Sequence, residues 1–164
     1  MGDQSNKPVF VNAKNDRLLS DQGFDEFETN VLRIARRFFH SFAVPESQAW
    51  QRAFFEAERM FPAPFGATIA TAVLAVIDEL RVARKSSFVF ISGACQSCEK
   101  RVTQEERYLI AAVHNIRRRN RSQAHANAMM LCEGHDPSDF LMAIGRLGII
   151  TGETDEDFLK TLVA

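Results

Sequence analysis

Cysteine is scarce in this sequence: Cys95, Cys98 and Cys132 are its entire complement among 164 residues. Three thiols cannot all pair within one chain, and a C-x2-C pair in a protein that is not secreted points to metal or redox chemistry. An excess of charge of one sign is also lacking. Twenty Lys and Arg stand against 21 Asp and Glu, for a net charge near −1, which is too little to drive the chain onto nucleic acid or an anionic membrane. Long apolar runs are missing as well. The most apolar stretch, Ala67 to Ile77, falls well short of the ~20 residues that span a bilayer. Met1 to Asn6 is polar, so no secretory signal is expected and the protein reads as cytoplasmic with no membrane role. Internal repeats, low-complexity segments, Gly-rich phosphate loops, nucleophile elbows and H-E-x-x-H patterns are all absent. Glu56 with Glu58, and Asp78 with Glu79, lack the spacing of a catalytic carboxylate pair and read as solvated faces. The expectation is a protein that is not an enzyme.

The content that remains is ordinary for one helical domain: 46% hydrophobic and 25% charged residues, in a chain long enough to bury a core. Phenylalanine supplies 14 of the 16 aromatic side chains, ten of them at or before Phe65. Phe buries large area without needing a polar partner, so it reads first as core, although exposed Phe would signal a partner surface. Residues 1–20 form a polar arm whose one apolar cluster is Val9-Phe10-Val11. From Asp21 onward, Phe24, Phe27, Val31, Ile34, Phe38 and Phe42 recur at helical steps. Pro45 opens a second helix carrying Ala49, Trp50, Ala53, Phe54, Ala57 and Met60. A third runs from about Phe65 to Arg84 and is apolar nearly all round. Such a helix is either central to its domain or, over residues 65–84, the interface of a homodimer. Phe88 to Ile91 is the one strand-like run. With no partner evident in the chain, it is expected to be an extended lead-in or to pair across a dimer.

The fold class expected is all-α: a single-domain bundle of about six helices over residues 21–164, in which 88–135 forms a zinc-clamped hairpin. Thr103-Gln-Glu-Glu106 is a capping box that starts a helix just after Cys98. A continuous helix from there to Cys132 would be about 45 Å long and would hold the two halves of any metal site apart. The chain is therefore expected to turn at Arg119 to Ser122, with Ser122 as N-cap of a return helix. Further helices are expected from Asp136-Pro137-Ser138 to Gly148, and after Thr154.

The candidate metal ligands are Cys95, Cys98, Cys132 and His135. Two short pairs, C-x2-C and C-x2-H, offer a Cys3His set to a tetrahedral Zn2+, and Gly134 gives the second turn freedom. A closed site of that kind is structural, and its binding free energy becomes folding free energy. The leading expectation is a zinc-binding, non-catalytic regulatory or adaptor protein whose partner is another protein. Two alternatives stand beside it. Arg117, Arg118, Arg119 and Arg121 at the hairpin tip are candidate DNA contacts of a transcriptional regulator, although pairing with the acidic stretch Glu153 to Asp157 would occupy them. Alternatively Cys95 and Cys98 are the dithiol of a small redox protein. A strand, a C-x2-C and a helix in that order suit such a site, but no repeated β-α-β pattern accompanies them and the capping box starts the helix after Cys98. His114 and His125, at similar distances either side of the turn, are placed to face each other across the hairpin.

Overall fold

The computed structural model describes residues 6–11, 16–93 and 95–163, and within them the chain forms seven α-helices and four very short strands. The helices are α1 (Glu26–Ala43), α2 (Ala49–Met60), α3 (Gly66–Ala83), α4 (Gln104–Arg117), α5 (Arg121–Leu131), α6 (Ser138–Ile150) and α7 (Glu156–Leu162). The strands are β1 (Val9–Val11), β2 (Arg17–Leu18), β3 (Val89–Ile91) and β4 (Arg101–Val102). The all-α class is thus correct. Residues 1–5 and 12–15 of the expected arm lie outside the described residues.

One apolar cluster runs from Val31 to Leu162, and the helices contribute to it by their spacing. Val31, Ile34 and Phe38 of the α1 stripe are buried, while Phe24, Phe27 and Phe42 close its edges. The apolar side of α3 (Ile69, Ala70, Val73, Val76, Ile77, Leu80) is spent inside the chain, against α1, α2 and α6. The Phe-rich half is mostly core. Phe38, Phe39 and Phe61 are buried, Phe24, Phe27, Phe42 and Phe54 pack partly buried against the core, and Phe39 stacks on the later Phe88 with centroids 4.2 Å apart. Phe10, Phe55 and Phe65 face solvent. No helix among the described residues is long and apolar enough to cross a membrane.

Packing between α2 and α3 depends on a missing side chain. A Cβ added to Gly66 would lie 2.7 Å from the Glu58 Cα and 2.8 Å from the Ala57 carbonyl oxygen, both backbone atoms that no rotamer change can move. Gly66→Ala is expected to lower stability by about 1–3 kcal/mol through overpacking. Thermal unfolding of the variant checks this, and an unchanged Tm would mean that the two helices separate freely.

The strand expectation needs correction. β3 pairs within the chain: Val9 to Val11 lies parallel to it, in the register Val9–Val89, Phe10–Phe90 and Val11–Ile91. The described part of the N-terminal segment is therefore docked, and Asn6 adds side-chain hydrogen bonds of 2.8 Å to the Arg81 and Arg84 carbonyls. β2 and β4 pair antiparallel on the other side of the C-x2-C turn. The helical hairpin α4–α5 is present, with Thr103 and Glu106 forming the capping box. Its turn is capped by Asn120 rather than Ser122, because Arg119 takes a positive φ of 57° and starts the return helix earlier. Helix α6 runs through Gly148 to Ile150, and α7 is capped by Asp155 rather than Thr154, whose hydroxyl instead donates to the Gly145 carbonyl.

Candidate functional site

Cys95 and Cys98 sit in a turn that two short strands hold at both ends. β3 delivers the chain to Ser92 and Gly93, the Cys95 amide donates back to the Ser92 carbonyl, and the Cys98 and Glu99 amides donate to the Cys95 carbonyl. Cys98 to Lys100 is a single 3-10 turn that leads into β4. The two sulfurs are bonded to each other as a disulfide. They differ in access: Cys95 is half-buried, whereas Cys98 is 5% exposed.

The turn is anchored from below by Arg36 of α1. Its guanidinium donates to the Glu99 carbonyl at 3.2 Å and the Arg101 carbonyl at 2.6 Å, on either side of Lys100. The same group is bidentate to Glu106 at 2.8 and 2.9 Å. Glu106 is fully buried and also accepts from the Ile91 and Thr103 amides, while the Thr103 hydroxyl donates to the Val89 carbonyl. The capping box therefore has a second use: its carboxylate is the counter-charge for the arginine that fixes the cysteine turn.

The second pair of candidate ligands is anchored elsewhere. Cys132 closes α5 with its side chain in the core, at 0% exposed, and it is a free thiol. Burial pushes that thiol up to about 11. His135 is exposed, and its Nδ1 donates to the Cys132 carbonyl at 2.8 Å. The turn between them is tied to the end of α3. Arg84 donates to the Leu131 carbonyl, and the Glu133 carboxylate accepts from the Lys85 and Ser86 amides and the Ser86 hydroxyl. The Ser86 hydroxyl and that amide pair hold the Glu133 carboxyl below its ordinary range.

The four expected zinc ligands are consequently not assembled. Arg36 fixes one pair to α1, Arg84 and Glu133 fix the other to the end of α3, and the first two sulfurs are spent on each other. Among the described residues no three His, Cys, Asp or Glu side chains are grouped to hold a metal ion.

The arginine tip is largely consumed by internal pairing. Arg117 bonds Asp25, Glu28 and Glu153, each at 2.8 Å. Arg118 bonds Glu28 at 2.9 Å, and Arg119 bonds Asp155 at 2.8 Å. Burial would raise the Asp25 carboxyl, but the Glu28 amide together with Arg117 and Arg118 outweighs it and holds the group below its ordinary value. Arg121 alone of the four has no ion pair among the described residues. His114 and His125 do not meet: His114 Nδ1 contacts the Glu28 carboxylate at 3.1 Å, and His125 is exposed.

A different basic site lies beside the cysteine turn. Arg33, Arg36 and Arg37 of α1 and Arg59 of α2 line a cleft of about 430 Å³, and Gly93 and Glu99, which flank the C-x2-C, form its other wall. The spacing of Arg33, Arg36 and Arg37 marks one helical face, a signal that the apolar stripe of α1 overshadows in the sequence. Comparison with family models, with curated proteins and with solved structures finds no match to this chain.

Proposed function

We propose that this protein is a dithiol–disulfide exchange protein or thiol redox switch whose working group is the Cys95–Cys98 pair. The observation that carries the reading is the bonded pair itself, with one accessible and one buried sulfur in a turn held by Arg36. An incoming thiolate attacks the Cys95 sulfur, the more accessible of the two, and the Cys95–Cys98 bond breaks. Cys98 leaves as a thiolate and takes a proton from solvent. A second thiol then attacks the mixed disulfide at the donor's sulfur and releases Cys95. Two donor thiols become one disulfide, and the protein gains two electrons and two protons. The third thiol stays out of the reaction, since Cys132 is buried and protonated at neutral pH.

Thiol counting before and after dithiothreitol tests the proposal. The oxidised native protein is expected to take up no alkylating reagent. The reduced native protein takes up two equivalents, and the reduced unfolded protein three. Renewed loss of the two native thiols on adding a disulfide oxidant completes the cycle. The reading fails if Cys95 and Cys98 stay alkylatable after oxidant, or if the protein carries one zinc per chain that is released as they react.

A further inference from the structure

The arginine cleft gathers four guanidinium groups at one opening, and two of them are not neutralised. Arg36 is paired with Glu106, and Arg37 is paired with Glu56 at 2.8 Å. Arg33 and Arg59 have no ion pair among the described residues, and both are exposed at the cleft. Four guanidinium groups thus stand against three carboxylates, Glu56 and Glu99 on the cleft wall and Glu106 behind Arg36, and the surplus is positive. Contrast the hairpin tip, where three arginines are each bonded to at least one carboxylate.

The cleft is also joined to the redox turn by backbone. Gly93, two residues before Cys95, leaves room for Arg37: a Cβ there would lie 2.9 Å from the Arg37 Nη1. Glu99, next to Cys98, forms the wall through a segment whose carbonyl is held by Arg36. A volume of about 430 Å³ suits a small molecule rather than a folded partner. Arginine forks favour carboxylates, which they bind through two parallel hydrogen bonds.

Resting on the exchange reading above, we infer that this cleft receives the reducing partner of the Cys95–Cys98 disulfide, and that the partner is a low-molecular-weight thiol bearing carboxylates. Arg33 and Arg59 recognise its anionic groups, while Arg36 and Arg37 shape the wall that joins the cleft to the turn. The thiol then reacts as set out above, and the second equivalent of the same thiol completes the reduction.

The experiment compares reduction rates of the oxidised wild-type protein by glutathione, 2-mercaptoethanol and cysteamine at equal thiolate concentration. These probes are anionic, neutral and cationic overall. The wild type is expected to prefer glutathione over 2-mercaptoethanol by on the order of tenfold and to disfavour cysteamine, with the preference shrinking as salt is raised. Arg33→Gln/Arg59→Gln should reduce the preference to near unity, with a much smaller fall in the rate with 2-mercaptoethanol, whose thiolate carries less negative charge than that of glutathione. Both side chains are exposed and have no ion pair among the described residues, so the double variant keeps its fold, which its circular dichroism and Tm verify. Equal charge preference in wild type and double variant overturns the inference but leaves the exchange reading standing. A disulfide that resists every thiol, dithiothreitol included, overturns both.

Discussion

Arg36→Met is expected to destabilise the protein by about 3–5 kcal/mol, because it strands a buried carboxylate without its counter-charge. Arg36 is 5% exposed and Glu106 is 0% exposed. Methionine retains most of the apolar stem, so the loss falls on the charge and its hydrogen bonds rather than on a cavity. Glu106 would keep only the Ile91 and Thr103 amides, and the Glu99 and Arg101 carbonyls would lose their donor. Adding Glu106→Gln to that variant should restore part of the loss, since a neutral amide in the same place has no charge to strand. Urea unfolding of the two variants and the wild type measures both steps. A loss below about 1 kcal/mol for Arg36→Met would show that the pair is screened and does not hold the turn. The same variant also separates anchoring from chemistry: the turn loses two of its carbonyl contacts, yet both sulfurs remain. Native alkylation of the reduced Arg36→Met protein should therefore still count two thiols.

How far the sequence spoke depends on whether a feature is local. The stripe of α1, the all-round apolar α3 and the Thr103–Glu106 capping box are each written within a few turns of chain, and all three are legible. Pairing of Val9–Val11 with Val89–Ile91 joins segments about 80 residues apart, and two three-residue runs carry no periodicity that names a partner. Cap positions slipped where a side chain had a tertiary alternative. Thr154 resembles an N-cap, but its hydroxyl is used on Gly145 beneath a helix that packs against it, and Asp155 takes the cap. The cysteines show the same limit in chemical form. Spacing identifies ligand types, but the direction in which each pair points is set by Arg36 and by Arg84 with Glu133. Nothing local marks those arginines as anchors, because each is one charge at the margin of an apolar helix face. The cleft is not legible in the sequence for a related reason: its four arginines come from two helices that are brought together only by packing.

Glu28→Ala is expected to cost about 2–4 kcal/mol, less than Arg36→Met, because its cations keep other partners. Glu28 is fully buried at the start of α1, where one carboxylate does two things. It accepts the Asp25 amide at 2.8 Å to complete the capping box, and it binds Arg117, Arg118 and the His114 ring. Removing it frays the first turn of α1, worth about 1 kcal/mol by itself, and leaves Arg117 with Asp25 and Glu153. Glu28→Gln can still accept the Asp25 amide, so it should recover the capping part and isolate the charge part. Urea unfolding of the two variants makes the division. Arg119→Ala, which breaks the exposed contact with Asp155, a hydrogen bond to the Glu153 carbonyl and the placement of the guanidinium over Phe158, should cost less than about 1 kcal/mol. The pair of Glu28 variants also bears on the DNA alternative. If the tip arginines are committed to holding α1 against α4, wild type should show no salt-sensitive retention on DNA, and Glu28→Ala, which frees Arg118 most, should gain some. Retention by the wild type that is lost on replacing Arg121 would instead mean that the tip binds phosphate while its ion pairs are intact.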